Sequence, residues 1–367
     1  MKWTKILFSV LMALFIGSAS QMALGLNGLA VAGSLLAAGA VLPYVDPSGV
    51  VLRAITVEIW QSHIEEEIFK DNSFMRKSHN ADEYVLGGKV VHIPQSGGSG
   101  NVVKNRTSLP ATVRVREDND IVYVLDAFTT DPVRIPNVET KELTYDKRNS
   151  VLGEDRDKLV QTTAEATIFN WVSSPVYNDY GATSLPAGAK FLTTGASTAA
   201  TGPMTGNRLA STLVDLQRLQ GYFRSINKWI EGKMHILLPP QMLLEMFPAD
   251  SVITATYMAQ VTEAERRMGV IVKAQGFNIY SRSTVLTSQA NGTLRAPGEA
   301  GAVTDGLCAL AWYEESVELA LGGVDAFEQL KAPTFYGDIY SFEVRIGGRA
   351  RRTGYEGIAV LRQATPA

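Results

Sequence analysis

The sequence contains little of the chemistry that most enzymes and metalloproteins use. Cysteine occurs once, as Cys308, and the four histidines are scattered along the 367 residues without metal-ligand spacing. A single thiol cannot form an internal disulfide, and its apolar surroundings, GLCALAWY, are typical of a small buried side chain. The phosphate-binding loop, the Gly-x-Ser-x-Gly elbow and the common zinc motifs are also absent. The sequence therefore predicts no enzyme activity, no catalytic residue, no cofactor and no metal site.

Charge is missing from the N-terminal segment. No Asp, Glu, Lys or Arg occurs at residues 6–45. Two lysines, an apolar centre and a small-residue end give residues 1–20 the form of a secretory signal peptide. The second apolar stretch, 22–45, is long enough to cross a bilayer. Residues 1–45 are therefore interpreted as signal-like, as membrane-like, or as an assembly segment that is buried against copies of itself or removed.

The overall charge excludes a uniformly basic protein. The net charge is -3, with 46% hydrophobic and 19% charged residues, which is ordinary for a chain with a substantial core. Three local basic groups remain, and they indicate either non-specific phosphate contacts or salt bridges with the acidic surfaces of neighbouring subunits. These groups are Lys104, Arg106, Arg114 and Arg116; Arg218, Arg224 and Lys228; and Arg345, Arg349, Arg351, Arg352 and Arg362.

The stretch 84–158 predicts a β-ribbon that leads into a helix. A strand at 84–93 ends at Pro94, the flexible tip SGGSGN follows, and 113–115 and 121–125 are the predicted return strands. A long two-stranded arm cannot bury both of its faces alone, so its apolar face and polar edges predict contact with a neighbouring subunit. The candidate contact residues are Gln95, Gly97, Gly98, Gly100, Lys104, Arg106, Arg114 and Arg116.

The remaining chain has the pattern of an α+β protein. The stretch 207–230 is the strongest helix prediction because apolar residues recur at steps of three and four. The adjacent Glu314 and Glu315 are interpreted as surface carboxylates, since a pair without a pocket has no chemical role. Further helices are predicted at 53–69, 154–171, 241–247 and 254–268, strands at 234–238, 306–313, 317–321 and 339–345 and on both sides of Gly276, and a small-residue connector at 175–206.

The order of these elements resembles the major capsid proteins of tailed phages. The strings EIFKDNSFM, ADEYVLGGKVVHIPQ, NVVKNRTSLPATV, TTDPVRIPN and LTYDKRNSVLG are similar to capsid proteins of Bacteroidetes phages and prophages. The resemblance implies the Hong Kong 97-type fold. After the apolar segment 1–45, which departs from the family's usual charged N-terminal segment, it implies an N-terminal arm at 46–83 and an extended β-ribbon loop at 84–130 that overlaps an adjacent subunit. They are followed by a peripheral domain with long helices at 131–232, an axial domain at 233–334, and C-terminal strands at 335–367 that return to the peripheral domain.

The same resemblance implies a structural function. Copies of the chain would assemble in the cytoplasm of a bacterial host into hexamers and pentamers of an icosahedral shell, and the shell would enclose double-stranded DNA in the virion. A scaffold, a portal, a maturation protease, non-specific contact with DNA and membrane contact of residues 1–45 are the further partners. The alternatives are an exported or membrane-anchored bacterial protein and an encapsulin-like compartment shell.

If the protein forms shells, residues 1–45 should be absent or refolded in the mature particle, because an uncharged segment of this length exposed to water promotes aggregation. N-terminal sequencing of assembled particles should then give a start between residues 43 and 53. An intact Met1 in finished particles would contradict removal of the segment. Recovery of the protein from membranes and never from particles would favour the exported or membrane-anchored alternative.

Overall fold

The computed structural model describes residues 72–85, 90–95, 102–107, 109–110, 113, 115, 118–136, 147–173 and 184–366. All of them belong to the compact unit His63–Ala367. The apolar segment 1–45, most of the arm 46–83 and the helix predicted at 53–69 lie outside the described residues. Within the part of the chain that is described, no helix is both long enough and apolar enough to cross a bilayer.

The described residues form strands and α-helices in mixed order, which confirms the α+β class. The strands are β1 (His79–Asn80), β2 (Val90–Gln95), β3 (Asn119–Val124), β4 (Asp126–Thr129), β5 (Val133–Pro136), β6 (Lys190–Leu192), β7 (Ser197–Ala199), β8 (Asn207–Leu209), β9 (Met234–Leu238), β10 (Val272–Ala274), β11 (Phe277–Ser281), β12 (Thr287–Ser288), β13 (Leu294–Arg295), β14 (Gly306–Tyr313), β15 (Val317–Ala332), β16 (Gly337–Ala350) and β17 (Ile358–Arg362). The helices are α1 (Lys147–Val172), α2 (Leu213–Ser225), α3 (Pro240–Met246), α4 (Val252–Ala259) and α5 (Glu263–Arg267).

A five-stranded sheet is built around the long hairpin of β15 and β16. These strands pair antiparallel, with register shifts between Leu321 and Gly323 and between Gln329 and Ala332. β1 lies parallel to β15 at one edge, and β4 and β5 pair with successive parts of β16 at the other. The 26-residue helix α1 packs on β16. The hairpin therefore provides the platform for both the long helix and the strands that follow the ribbon.

An eight-stranded sheet has β9 near its centre. β9 is buried at every residue and lies parallel to β11 and antiparallel to β14. Its sequence, MHILL, is the nearly continuous apolar run expected of a strand that is covered on both faces. β10 follows β11, β12 and β13 follow β14, and β17 pairs with both β14 and β6. The remaining strands form two small antiparallel pairs, β2 with β3 and β7 with β8.

One apolar core joins α2 and α3 to the eight-stranded sheet. α2 contributes Leu216, Leu219 and Phe223, and their spacing of three and four residues places them on one side of the helix. Three alternate residues of β9 face the same core, since successive side chains of a strand point to opposite sides. The buried members from β9, α3, β10, β11, β14 and β17 include Met234, Ile236, Leu238, Met242, Met246, Val272, Phe277, Ile279, Ala309, Ala311, Ala359 and Leu361.

A cluster of aromatic side chains connects the two sheets. Trp171 of α1 and Trp312 of β14 have ring centroids 5.4 Å apart, and Phe74 packs edge-on against both. The indole nitrogen of Trp171 donates to the carbonyl oxygen of Glu318 at 3.1 Å, and that of Trp312 donates to the carbonyl oxygen of Lys77 at 2.7 Å. Buried indoles need such acceptors. We call these three aromatic residues the junction cluster.

The helix predicted at 207–230 is shorter than expected. Residues 207–209 form β8, and α2 starts at Leu213, where Thr212 and Asp215 form a reciprocal capping box. The helix ends at Ser225, two residues before Asn227 takes a left-handed backbone conformation with φ of 55°. Local hydrogen bonding at both ends therefore overrides the longer apolar repeat.

Other local predictions differ mainly in their bounds. The helix predicted at 254–268 is two helices, α4 and α5, because Thr262 and Glu265 form a second capping box. The helix predicted at 154–171 begins earlier, at Lys147. Strands are confirmed at 234–238 and 306–313 and on both sides of Gly276. The strands predicted at 317–321 and 339–345 are parts of the much longer β15 and β16.

The strand pairings group the chain differently from the expected division at 232–233 and 334–335. The second boundary falls in the turn between β15 and β16, so it divides a hydrogen-bonded hairpin. α2 packs with β9 across the first boundary, and β17 pairs with β14 in the eight-stranded sheet. The assignment of peripheral and axial domains stays a prediction.

Candidate intersubunit surface

The root of the ribbon is buried within its own subunit. β2 and β3 pair antiparallel with Val91 opposite Tyr123 and Ile93 opposite Ile121. All four side chains are buried, and they form an apolar cluster with Ala81, Leu125 and Ala320. The expectation that the apolar face of the whole ribbon needs a neighbour is therefore wrong for this part. The hairpin β15–β16 and the segment before β2 supply the cover.

A glycine of β16 allows the chain to approach closely at this root. A Cβ atom on Gly347 would lie 2.7 Å from Leu125 Cδ2 and 3.4 Å from Tyr123 Cε2. Real Cβ atoms do not approach other atoms within 3.0 Å, so a larger residue would displace Leu125. Because Gly347 has no side chain, the ribbon root can pack directly against β16.

The outer part of the ribbon, unlike its buried root, is exposed. Its described residues, 102–107, 109–110, 113 and 115, belong to no strand, and this excludes a return strand at Val113 and Val115. Their apolar side chains are exposed in the single subunit. The exposed fractions are 98% for Val102, 51% for Val103, 81% for Leu109, 92% for Val113 and 83% for Val115. We call residues 102–115 the outer segment, and a concentration of apolar groups like this one is typical of an interaction surface.

The predicted contact residues have different positions. Gln95 ends β2, with its backbone paired to Asn119. Lys104 and Arg106 are exposed in the outer segment. Their contact with a neighbouring copy stays a prediction. The other predicted contact residues, Gly97, Gly98, Gly100, Arg114 and Arg116, lie outside the described residues.

A group of ionisable side chains holds the ribbon root to the junction between the sheets. Tyr123 Oη donates to Glu318 Oε1 at 3.0 Å, and Arg351 Nε lies 3.2 Å from Glu318 Oε2. Arg351 Nη1 also lies 3.5 Å from Glu315 Oε2. Lys233 Nζ and His79 Nδ1 each lie 3.2 Å from carboxylate oxygens of Glu315. Glu315 thus contacts three basic side chains and is not an isolated surface carboxylate.

Burial sets the proton affinities in this group. Burial raises the pKa of Glu318, although the hydroxyl of Tyr123 and the charge of Arg351 oppose the shift. Burial, followed by the charge of Glu318, raises the pKa of Tyr123. In the nearby β9, burial lowers the pKa of His235 against the attraction of Glu314, 3.5 Å away. Tyr123 therefore remains a hydrogen-bond donor at neutral pH.

Several members of the predicted basic groups are paired inside the subunit. Arg345 Nε lies 2.7 Å from Glu343 Oε1, and Arg218 Nη1 lies 3.3 Å from Asp215 Oδ1. Arg224 stacks over the ring of Trp229, with its Cζ atom 5.3 Å from the ring centroid. The helix and tail groups are therefore not free basic faces, because part of their charge is used within the fold.

A groove of about 430 Å³ lies between the β4–β5 connection and α1. Phe128 and Leu159 line its apolar part, and Asp131, Asp155 and Lys158 line its polar part. Partial burial, and then the charge of Glu154, raises the pKa of Asp155. Among the described residues, no group of three or more His, Cys, Asp or Glu side chains could hold a metal ion.

The sequence contained only a weak signal for the buried ion pairs. Tyr123 and Glu318 are separated by 195 residues, so no local motif connects them. Glu318 does interrupt the apolar alternation of VELALGG at a strand position. A carboxylate in such a place needs a partner, but the sequence does not identify which residue provides it.

Three solved phage structures share this architecture. The capsid structure of Cyanophage P-SCSP1u is 17% identical with a TM-score of 0.52, and the match covers 79% of this chain and 87% of that chain. The capsid of Ralstonia phage GP4 is 12% identical with a TM-score of 0.56, covering 79% and 88%. The Cyanophage Pam1 capsid asymmetric unit is 12% identical with a TM-score of 0.53, covering 78% and 87%. No family model matches the chain, and no curated protein matches it.

The structural matches confirm the expected fold. The mixed sheets and helices of this chain follow the Hong Kong 97-type arrangement of those phage capsid structures over more than three quarters of its length. At these low identities the likeness concerns the path of the chain and does not match individual residues.

Substitution Tyr123→Phe should destabilise the subunit by about 1.5–3 kcal/mol near pH 8, because the buried Glu318 carboxylate loses a donor. The folded-state pKa of Glu318 is raised, so its ionisation destabilises the fold once the pH exceeds the unfolded pKa, and Tyr123 offsets this. The loss should therefore shrink toward pH 4.5. Urea unfolding of unassembled subunits at both pH values measures it.

The matched control is Tyr84→Phe, because Tyr84 is 57% exposed. This change should have little effect at either pH. An equal loss for Tyr123→Phe at both pH values would contradict the assigned role of the carboxylate and leave only a packing effect.

Proposed function

We propose that this protein is the major capsid protein of a tailed phage and that copies of it form a closed icosahedral shell around double-stranded DNA. One observation supports this proposal most directly. The subunit has the fold of phage capsid proteins, and its ribbon is anchored at the root but exposes apolar side chains beyond it. Such a segment gains stability when a neighbouring subunit covers it. The role is structural, and the virion is the place of function.

The finer arrangement belongs to the same proposal. Hexamers and pentamers would form in the host cytoplasm, with a scaffold, a portal and a maturation protease as partners and with non-specific contacts to DNA. The outer segment, with Lys104 and Arg106, would reach the adjacent subunit, as would the glycine tip. No observation on the described residues favours the exported, membrane-anchored or compartment-shell alternatives.

The strand pairings support revised domain bounds. The unit with the eight-stranded sheet, α2 and β17 would be the axial domain, and the unit with α1 and the β15–β16 hairpin would be the peripheral domain. Both units receive strands from distant parts of the chain. The chain would therefore pass between the domains after α1, at the turn that joins β14 to β15, and again between β16 and β17.

Purified full-length protein, and a version that starts at residue 46, should form capsomers or closed shells. Light scattering over a range of protein and salt concentrations, together with negative-stain electron microscopy, measures this. We expect a large assembly in at least one of the two versions, because the outer segment is unstable in water without a partner. A monomer under all conditions in both versions would overturn the proposed function.

Substitution Val113→Ser tests the outer segment. It should leave the melting temperature of the unassembled subunit unchanged, because the side chain is 92% exposed there. It should raise the protein concentration needed for assembly about tenfold or more, since full burial of a valine contributes about 1.5–3 kcal/mol. Sedimentation at increasing protein concentration gives this threshold.

Val113→Ile is the matched control at the same position. It keeps an apolar, β-branched side chain, so its assembly threshold should remain close to that of the unmodified protein. Normal assembly of Val113→Ser would show that Val113 is not covered by a neighbour. Loss of assembly in both variants would indicate a strict steric fit instead of apolar burial.

A further inference from the structure

A small polar cavity lies beside the C-terminal end of β17. Its volume is about 140 Å³, and it lies where β8, the end of β12, the start of β14 and the residues after β17 come together. Side chains that donate hydrogen bonds dominate its lining. They include Arg208, Ser288, Gln289, Thr304, Arg362 and Gln363.

Arg362 is the least satisfied cation at this cavity. Its Nε atom is buried without a hydrogen-bond partner, and no hydrogen bond or ion pair joins its guanidinium group to any residue that the structure describes. By contrast, Arg345 and Arg351 of the same C-terminal region each have a carboxylate partner. A buried donor without an acceptor costs stability, and the cost is larger for a charged group.

The position of Arg362 is fixed by the strands around it. Its backbone pairs with Cys308 of β14 and with Leu192 of β6. A Cβ atom on Gly292 would lie 3.0 Å from Arg362 Nη1, and Gly292 has a φ of 88° that favours glycine. The guanidinium group therefore packs against the backbone of Gly292, where a side chain would leave it no room.

Two further cations lie close to this group, and among the described residues no carboxylate pairs with either of them. Arg208, which is 4% exposed, donates to the carbonyl oxygens of Asn207 and Asp305 at 2.8 and 2.9 Å. Lys190 Nζ donates to the carbonyl oxygen of Gly292 at 3.2 Å. Burial and then the charge of Arg362 lower the pKa of Lys190. Positive charge is therefore concentrated around the cavity.

Two carboxylates in this region are engaged with other groups. Asp305 Oδ2 lies 3.0 Å from Arg295 Nε and accepts from the backbone N–H of Ala302 at 2.9 Å. Glu245 Oε2 accepts from the backbone N–H of Ser211 at 2.8 Å. Among the described residues, these acids do not neutralise Arg362, so its guanidinium group has no counterion in the part of the fold that the structure describes.

We propose that this cavity binds a small oxyanion of the phosphate type, with Arg362 as its main ligand. The guanidinium group provides paired donors that match two oxygens of such an ion. A volume of about 140 Å³ admits one tetrahedral oxyanion with some water, given about 30 Å³ per water molecule. The bound ion would tie the residues after β17 to the β12 turn and stabilise the C-terminal end of the eight-stranded sheet.

Titration of the full-length protein with inorganic phosphate, against chloride at equal ionic strength, tests the site. Phosphorus NMR line broadening should show saturable binding, and the melting temperature should rise with phosphate more than with chloride. Arg362→Gln should bind phosphate at least about tenfold more weakly, because one charged pair of hydrogen bonds is lost. The control Arg352→Gln, which removes an exposed arginine outside the cavity, should keep the affinity.

Equal responses of the unmodified protein to phosphate and chloride would overturn the proposal, whether or not Arg362→Gln folds. Unchanged phosphate binding by a folded Arg362→Gln would also overturn it. Arg362→Lys keeps the charge without the paired donors, so intermediate affinity supports the assigned ligand.

A short DNA duplex distinguishes the sources of the phosphate group. Competition by the duplex that disappears in Arg362→Gln supports the site with nucleic acid as the source. Phosphate binding that the duplex does not displace supports it with the free ion as the source. Neither arm depends on shell assembly, so this test and the test of the capsid function can fail separately.

Discussion

The packing of Trp171 against Trp312 is the contact on which the rest of the subunit depends. One ring belongs to the long helix on the five-stranded sheet and the other to a central strand of the eight-stranded sheet, with 5.4 Å between their centroids. Each indole also donates one hydrogen bond to a backbone carbonyl of a different segment. A Cβ atom on Gly348 would lie 2.7 Å from the carbonyl oxygen of Glu318, so this close approach requires glycine there. The two sheets are thus held by packing and by directional hydrogen bonds together.

The same junction positions the ribbon. Glu318 supplies its carbonyl oxygen to Trp171 and its carboxylate to Tyr123, so one residue of β15 connects the long helix with the ribbon root. Ala320, two residues later, joins the apolar cluster under β2 and β3. The root therefore behaves as part of the subunit, whereas the outer segment keeps its apolar side chains exposed. In the proposed shell, this division would let a rigid base direct an extension that another copy covers.

Local features of the fold could be predicted from the sequence, but contacts between distant segments could not. The strands at 234–238 and 306–313 and the turn at Gly276 follow from apolar runs and glycine. The full length of β15 is hidden because its second half alternates exposed residues beyond Gly322 and Gly323. Glu315 looked like a surface residue because its partners, His79, Lys233 and Arg351, lie far apart in the chain. For the candidate site, the sequence indicated the exposed Lys104 and Arg106, but not where the ribbon leaves its own subunit.

The charge arrangement bears on how neighbouring copies would be held together. Arg218, Arg345 and Arg351 have carboxylate partners in their own subunit, so these members of the predicted basic groups are neutralised internally. An interface that relied on exposed ion pairs would weaken steeply as salt rises, because the Debye length falls to about 8 Å at physiological ionic strength. Contacts through the apolar side chains of the outer segment do not depend on that screening, and salts excluded from the protein surface strengthen them. In the proposed shell, apolar burial directed by a buried, hydrogen-bonded root would therefore be the interaction best suited to join subunits.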